Sequence, residues 1–357
     1  MKLWSRSHSL QHKIITAIVM VGLLPLTFSL ILTYLEERRA LRDTTGANFK
    51  EIAVEAARRV EMQITRGINE AQQLASMPFL RTAVTEANRS YTGKGEAGVQ
   101  SMIKDWQQRW RERERHNEFP LFINRIVTNH LIRWHDIRRS DYIGILVTDN
   151  RGALVVSSIP QVEYYYGKTP WWQAIVSEGR GQQYVSDIYF DPSFGTHVLN
   201  VSVPILEENQ RTVIGVVTVL LRRDTLFQSI SDVVIGATGH AMLMNSDGTL
   251  LICPMQAPEE HTVVPALVRE VTRPEAGWSV VPEDSHGGRN SIVGFAPVHL
   301  GDRLAPSSLA GKRWLAVVRQ DPQETYASLN QLLIKVAAYG VVVLAVLWGT
   351  GAVVARR

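Results

Sequence analysis

The chain has 357 residues, 45% hydrophobic and 20% charged, which is typical of a folded globular protein and is long enough for two or three modules. Its net charge is +4, and the run RWRERERH at 109–116 alternates arginine with glutamate, so a solvated helix face is favoured over a nucleic-acid-binding surface. A single cysteine, Cys253, excludes an intrachain disulfide, and we expect it to be a small buried hydrophobe.

The first strong element is the apolar run IITAIVMVGLLPLTFSLILTYL at 14–35, which contains no charged residue. As a helix it would extend about 33 Å, enough to cross a hydrocarbon core of about 30 Å. A cleaved signal peptide is the alternative, but the run is longer than the roughly 7–15 apolar residues typical of one and lacks a small-x-small cleavage site. We therefore predict a cytoplasmic N-terminus at 1–13 and a first transmembrane helix at 14–35.

A long helical region follows at 36–138, where Ala, Glu, Arg, Gln and Leu are frequent. Pro78 predicts a break, and NRSYTGKGEAG at 88–98 predicts a loop. We expect a helical stalk that continues the first membrane helix and carries two globular lobes stacked along it.

The elements after the stalk repeat. The hairpin pattern LVTDNRGALVVSS at 146–158 returns as MLMNSDGTLLICP at 242–254, and later strands recur in the same order. The matched pairs are Gly152 with Gly248, Pro204 with Pro297, and Asp224 with Asp321. Because three elements recur in one order, we predict two tandem copies of one α+β unit between about 140 and 325.

A second apolar run, LLIKVAAYGVVVLAVLWGTGAVVA at 332–355, is predicted to span the membrane, a buried core helix being the alternative. Lys335 near its start can extend its ammonium group to the interface. The short ends of the chain carry the positive charges of Lys2, Arg6, Lys13, Arg356 and Arg357. The positive-inside bias therefore places both ends in the cytoplasm, with 356–357 as a stub and 36–331 outside.

The sequence contains no catalytic pattern. A G-x-S-x-G elbow, a Walker loop and a C-x-x-C pair are all absent, and the ten histidines are scattered. DPSFG at 191–195 and NSDG at 245–248 are predicted to be hairpin turns, because neither supplies the ligand series of a calcium loop. We therefore expect no enzyme activity, no metal site and no cofactor.

One stretch does indicate a ligand. YYYGKTPWWQAI at 164–175 places three tyrosines and two tryptophans within nine residues, and YVSDIYFD follows at 184–191. Aromatic side chains with polar tips near acidic groups suit the walls of a cleft for a small polar ligand. Packing in the core or an interface is the alternative.

The order of membrane helix, long helix, two PAS-like lobes and second membrane helix resembles the double Cache (dCache) sensor domain of bacterial transmembrane receptors. The resemblance covers 14–355 and is most specific in GKTPWWQAI, YVSDIYFDPSFGTHVLNVSVPI and IGVVTVLLRRDTL. It implies an α+β fold with two lobes of antiparallel sheet, a membrane-distal lobe at 139–230 that holds the ligand and a membrane-proximal lobe at 231–325. It further implies a homodimer in the bacterial inner membrane, with 36–331 periplasmic or extracellular.

A subset of that family binds amino acids through Tyr, Arg-x-Trp-Tyr, Tyr-x-Asp and a final Asp. Matching positions here are Tyr164, Trp171, Tyr189 and Asp191, whereas Thr169, Trp172 and Leu220 replace the arginine, the second tyrosine and the final aspartate. The charge-assisted bonds to carboxylate and ammonium groups are thereby lost, and Lys168 offers only a point charge. We expect a ligand other than an α-amino acid, either a carboxylate met by Lys168 or a more apolar metabolite stacked on Trp171 and Trp172. The predicted ligand-binding residues are Tyr164, Lys168, Thr169, Trp171, Trp172, Tyr184, Tyr189 and Asp191.

The expected function is the sensor module of a transmembrane receptor, in which ligand binding shifts the second membrane helix relative to a dimer partner. Receptors with this module are mostly histidine kinases, chemoreceptors or cyclic-di-GMP enzymes. The sequence up to VVARR contains no such output domain, so we expect output from a later segment or from a partner such as a cytoplasmic kinase. The alternative is a membrane-anchored accessory or scaffold protein with degenerate lobes that bind no small molecule.

Overall fold

The computed structural model describes residues 20–21, 24–116, 125–160, 162–176, 182–208, 212–255 and 263–356. Of the predicted first membrane span, residues 14–19 and 22–23 lie outside that description, as does the N-terminal segment 1–13.

One long helix, α1 (Leu24–Ala75), is the spine of the molecule. Its 52 residues extend about 78 Å, and small or apolar side chains recur on one face at steps of three and four residues. The buried members of this face include Phe49, Ala53, Ala56, Val60, Ile64, Gly67, Ala71 and Leu74. Because most of them are small, the sheets of both lobes approach the helix closely.

The described part of residues 78–136, predicted as part of the stalk, forms three further helices. They are α2 (Pro78–Arg89), α3 (Glu96–His116) and α4 (Arg125–Asp136). Pro78 stands in the first turn of α2, where its missing N–H costs no helical hydrogen bond. These helices contact the first lobe, as the Asn88 amide shows by donating to the Ile214 carbonyl at 2.8 Å.

The first, distal lobe is an antiparallel sheet in the order β2-β1-β6-β5-β3, with β4 also paired to β5. Its strands are β1 (Tyr142–Asp149), β2 (Leu154–Ser157), β3 (Tyr184–Val185), β4 (Tyr189–Asp191), β5 (Thr196–Leu206) and β6 (Val213–Arg222). Helix α5 (Pro170–Val176) precedes β3, and α6 (Arg223–Ser231) follows β6. The inner face packs on α1, where a Cβ added at Gly67 would lie 3.2 Å from the Leu221 side chain.

The second, proximal lobe repeats this arrangement in the order β10-β11-β12-β8-β7, with β9 paired to β8. Its elements are β7 (Val234–Ile235), β8 (Gly239–Asn245), β9 (Leu250–Ile252), α7 (Pro265–Val271), β10 (Gly277–Glu283), β11 (Arg289–Pro297) and β12 (Trp314–Arg319). The α+β class with two antiparallel lobes after a long helix is therefore confirmed.

The two hairpins have the same geometry. Thr148 pairs with Leu154 in one lobe and Met244 pairs with Leu250 in the other, and each strand is irregular at this point. Gly152 and Gly248 adopt φ of 84° and 91°, which favour glycine and explain why both turns end in that residue.

The strand registers test the other two matches. Pro204 lies opposite Val216, and Pro297 lies opposite Leu315, the equivalent residue of the last strand. The match of Asp224 with Asp321 is wrong by two residues, because Asp321 is the N-cap of its helix and Arg222 is the N-cap in the distal lobe.

Helix α8 (Pro322–Thr325) leads from β12 into α9 (Ala327–Arg356). Among the described residues, one helical segment is long and apolar enough to cross a membrane, and it is Ala327–Thr350. The Tyr34 hydroxyl donates to the Asn330 side-chain oxygen at 3.3 Å. The start of α9 therefore lies beside the N-terminal part of α1.

Candidate functional site

The outer face of the distal sheet carries a strip of polar side chains. Residues that lie opposite each other in neighbouring strands share a face, and Thr148, Val216, Thr218, Ser202 and Asn200 follow one another in this way on β1, β6 and β5. Ser202 and Thr218 are fully buried, and their hydroxyls lie 2.9 Å apart. We call Thr148, Thr218, Ser202 and Asn200 the polar strip.

Thr148 is the unusual member of the polar strip. Its hydroxyl oxygen is buried and has no hydrogen-bond partner among the residues that the structure describes. A buried polar group without a partner costs about 1–3 kcal/mol, so such a group in a native protein needs a cause. A ligand that reaches this face would supply the missing partner.

Aromatic side chains of α5 and β3 cover the strip. Trp171, Trp172 and Tyr184 are buried and form one apolar cluster with Val216 and with Ala305 of the proximal lobe. Tyr184 lies opposite Ser202 in the β3–β5 pair. The Trp172 indole N–H donates to the backbone carbonyl of Asp149 at 3.3 Å, which fixes α5 over β1.

Tyr189 and Asn200 form the more open end of this site. The Tyr189 hydroxyl donates to the Asn200 side-chain oxygen at 3.1 Å, while 38% of Tyr189 remains exposed. Burial is the main reason why the pKa of Tyr189 is raised to about 12, so the phenol is neutral and can donate at physiological pH. Asp191 accepts a bond from the Ser193 N–H at 2.8 Å in the hairpin turn.

The other predicted residues lie in different surroundings. Lys168 is exposed, and the Thr169 hydroxyl donates to the Tyr166 carbonyl at 2.7 Å within its own loop. Tyr164 is buried with its ring 6.3 Å from that of Trp110, in the larger core cluster. The structure thus brings Trp171, Trp172 and Tyr184 together, whereas Tyr164 belongs to a different cluster and Lys168 lies at the surface.

Asp149 is the last residue of β1, next to this site, and its carboxylate already accepts hydrogen bonds from other parts of the chain. It accepts bonds from the Tyr91 hydroxyl at 2.5 Å and from the N–H groups of Arg151 and Ala153 at 2.8 and 2.9 Å. Burial raises the pKa of Asp149, although these hydrogen bonds oppose the rise. Asp149 therefore fixes the hairpin turn to Tyr91, two residues beyond the end of α2. The polar groups that the strip offers are three hydroxyls and one amide.

The segment that carries Tyr184 and Tyr189 is bonded directly to the proximal lobe. The Gln183 N–H donates to the Arg303 carbonyl at 3.0 Å, and the Ala305 N–H donates to the Gln183 carbonyl at 2.7 Å. Asp187 accepts bonds from the Asn245 amide at 2.9 Å and from the Trp314 indole at 3.1 Å. Trp314 begins β12, the strand that leads to α9.

A cleft of about 650 Å³ opens elsewhere, between the end of α1, β5 and the loop before β12. Its lining is mostly charged or amide-bearing and includes Gln72, Arg81, Gln183, Glu207 and Arg303. It is distinct from the aromatic site, because its lining includes neither the aromatic residues of α5 and β3 nor any member of the polar strip.

Sequence reasoning missed the polar strip. Asn200, Ser202 and Thr218 stand in strands that are otherwise apolar, so their alternation with valine and leucine was a usable signal. Their common position becomes evident only when β6 is known to lie between β1 and β5.

Two antiparallel lobes of one design along a single helix form the architecture expected of a double Cache domain. Comparison with protein families agrees, since residues 37–329 match the model of the Cache domain in its double form, dCache_1. The chain belongs to this family. Cache domains in chemoreceptors are extracytoplasmic and membrane-anchored.

Curated relatives include two chemoreceptors. The chain is 26% identical to the methyl-accepting chemotaxis protein PctB of Pseudomonas aeruginosa over 176 residues, which are 49% of this chain and 25% of that protein. It is also 26% identical to McpA of Pseudomonas putida over 162 residues, 45% of this chain and 23% of that protein. The matched part therefore spans about a quarter of the length of these relatives.

Solved structures include the ligand-binding domain of PctB in complex with L-Arg, which is 19% identical to this chain with a TM-score of 0.48. The match covers 80% of this chain and 98% of the PctB domain. The ligand-binding domain of the Pseudomonas fluorescens chemoreceptor CtaA in complex with L-isoleucine is 16% identical, also with a TM-score of 0.48, and covers 82% and 98%.

Proposed function

We propose that this chain is the sensor module of a transmembrane receptor and that a small extracytoplasmic ligand binds the polar strip of the distal lobe. The observation that carries the proposal is the buried, unpartnered hydroxyl of Thr148 in a strip covered by Trp171, Trp172 and Tyr184. Apolar walls with a few convergent polar groups are the usual form of a small-molecule site.

The ligand is proposed to be uncharged, with a flat apolar part and one or two hydroxyl, carbonyl or amide groups. The hydroxyls and the Asn200 amide can donate to and accept from such groups. An α-amino acid would also need partners for its carboxylate and ammonium. Thr169, Trp172 and Leu220 stand where the amino-acid-binding pattern has Arg, Tyr and Asp. Lys168, three residues before Trp171, is exposed. PctB, by contrast, has been solved with L-Arg and L-Gln.

The signal is proposed to pass through the segment 182–191. A ligand that moves Tyr184 or Tyr189 would strain the bonds from Gln183 and Asp187 to the proximal lobe. Trp314 and β12 then connect this lobe to α9, so a ligand that binds one arrangement better would shift the position of α9. No chemical reaction in this chain is required.

The membrane arrangement is part of the same proposal. Positive charges at both ends favour a two-pass topology with 36–331 outside the cytoplasm of a bacterial inner membrane. Exposed apolar residues in the first turns of α1, such as Phe28 and Leu26, support a first membrane span beside α9. A homodimer, and output by a cytoplasmic kinase or another partner, complete the proposed receptor.

A thermal-shift screen of the full chain in detergent tests this function. The panel contains purines, amides, sugars, organic acids, amines and amino acids. A ligand at 100 times its dissociation constant should stabilise the fold by about 2.7 kcal/mol. We expect an uncharged hit whose shift is lost in Asn200→Ala and kept in Asp302→Ala, a change at an exposed position outside the strip.

The second candidate is a scaffold whose lobes bind nothing. It is favoured by the burial of Trp171 and Trp172, which are only 5% and 9% exposed and pack as core residues do. On that account Trp171→Ala lowers stability by about 3–5 kcal/mol, and no member of the panel shifts the wild-type chain. On the sensor account the same variant also loses the response to a compound that the wild type binds.

A further inference from the structure

The proximal lobe brings two histidines and the single cysteine together. His240 is the second residue of β8, Cys253 directly follows β9, and His286 lies in the turn between β10 and β11. The Cys253 sulfur is 3.7 Å from His240 Nε2 and 3.5 Å from His286 Nε2. One ligand atom from each residue lies within 4.8 Å of those of the other two.

Both histidine rings have Nε2 toward the Cys253 sulfur and Nδ1 toward a backbone carbonyl. His240 Nδ1 is 3.0 Å from the Thr238 carbonyl, and His286 Nδ1 is 3.4 Å from the Asp284 carbonyl. A carbonyl oxygen can only accept, so Nδ1 is the donor in each of these contacts. In a neutral ring with this tautomer, Nε2 carries the lone pair, and it is Nε2 that faces Cys253. The same Nδ1–H to carbonyl bond typically orients histidines that bind metal ions.

The distances suit a common metal ion. With Zn–S of about 2.3 Å and Zn–N of about 2.0–2.1 Å, a tetrahedral ion separates sulfur from nitrogen by about 3.6 Å. The two observed separations, 3.7 and 3.5 Å, lie on either side of this value. A single thiol proton can be shared with only one of the two nitrogens, whereas a metal ion accepts lone pairs from all three atoms.

The surroundings hold the three residues in place. Asp284, fully buried, accepts bonds from the N–H groups of His286 and Gly288 at 3.0 and 2.9 Å and so fixes the turn. Arg319, opposite His240 in the sheet, is the nearby cation, and it is paired with Asp284. Its charge is therefore compensated, and Cys253 otherwise packs in an apolar cluster with Met242 and Met244, which suits a soft ion.

We propose that His240, Cys253 and His286 bind one soft d10 metal ion, Zn²⁺ or Cu⁺, in the proximal lobe. Three protein ligands leave a fourth position open for water or another donor. The ion would tie the ends of β8 and β9 to the β10–β11 turn. This site was not expected from the scattered histidines, since its members are 13 and 33 residues apart in sequence.

Metal titration of the full chain in detergent, after removal of metal with a chelator, tests the proposal. We expect one equivalent of Zn²⁺ per chain by equilibrium dialysis, a higher Tm with Zn²⁺, and a thiolate-to-metal absorption band with Co²⁺ as the probe. Cys253→Ser removes the absorption band, and His286→Ala, in a half-buried turn, lowers Zn²⁺ affinity at least tenfold.

His299→Ala, an exposed histidine of the same lobe, is the matched control and keeps the stoichiometry and the band. Cu⁺ displacing Zn²⁺ from the same residues supports the site and assigns the ion. Absence of stoichiometric binding by either ion to wild-type protein overturns the proposal. Binding that is unchanged in Cys253→Ser and His286→Ala overturns it as well, and folding of each variant is checked by circular dichroism.

Discussion

Replacing Asp187 by alanine should weaken the junction between the lobes. The carboxylate accepts bonds from two groups of the proximal lobe, the Asn245 amide at 2.9 Å and the Trp314 indole at 3.1 Å. Hydrogen bonds to a charged group contribute about 1.5–3 kcal/mol each, so the loss of both amounts to roughly 3–6 kcal/mol. Lys312, 3.8 Å away and partly exposed, adds at most about 1 kcal/mol.

The assay is denaturant unfolding of the full chain in detergent, followed by circular dichroism. Amide hydrogen exchange at 183–185 and 303–308 then shows whether the loss is local to the junction. Asp302→Ala removes an exposed carboxylate from the same region and should change stability by less than about 0.5 kcal/mol.

A double-mutant cycle isolates the bond itself. Trp314→Phe keeps an aromatic ring and removes the indole N–H, so its coupling to Asp187→Ala should be about 1–2 kcal/mol. If Asp187→Ala matches Asp302→Ala in stability and in exchange, the junction does not depend on this carboxylate and the reasoning fails.

Three more changes have defined outcomes. Thr148→Val removes the unpartnered hydroxyl, so Tm should stay the same or rise while calorimetry shows about tenfold weaker ligand binding. Gly294→Ala places a Cβ 2.1 Å from the backbone of α1, and thermal unfolding should show a loss of about 3 kcal/mol. Burial acts to raise the pKa of Asp284, but hydrogen bonds from Ser291 and Arg319 lower it below 3.8. That stabilisation is complete above pH 3.8 and lost as the pH falls toward the lower folded pKa, which acid unfolding of wild type and Asp284→Asn measures.

Each of these three predictions would be contradicted by a specific result. A large loss of stability in Thr148→Val would mean that the hydroxyl has a partner. Gly98→Ala, in an open helical position, is the control for Gly294→Ala and should not destabilise the chain, so equal effects would remove the steric argument. An acid midpoint shared by wild type and Asp284→Asn would show that this carboxylate does not govern acid unfolding.

The repeated hairpins were predictable because their signal is local. Gly152 and Gly248 have positive φ, and the alternating apolar residues around them specify two strands and a tight turn within a few positions. The order of the strands and the path of residues 78–136 depend on contacts between distant segments. Composition identified those residues as helical, but it carried no information on their contacts with the distal sheet.

The candidate site was predictable only where aromatic residues cluster in sequence. Trp171, Trp172 and Tyr184 do share one cluster, whereas Tyr164 lies in the main core and Lys168 at the surface. The polar strip was missed because its members come from three strands. His240, Cys253 and His286 were missed for the same reason, since sheet pairing and a turn bring them together.

A structure of the full chain with the compound found in the ligand screen tests the central claim most directly. The account predicts density for the ligand under α5, with a polar atom within hydrogen-bond distance of Thr148 or Asn200 and an apolar part beside Trp171. Density in the cleft of about 650 Å³ lined by Arg81 and Arg303, with the polar strip unchanged, would contradict it.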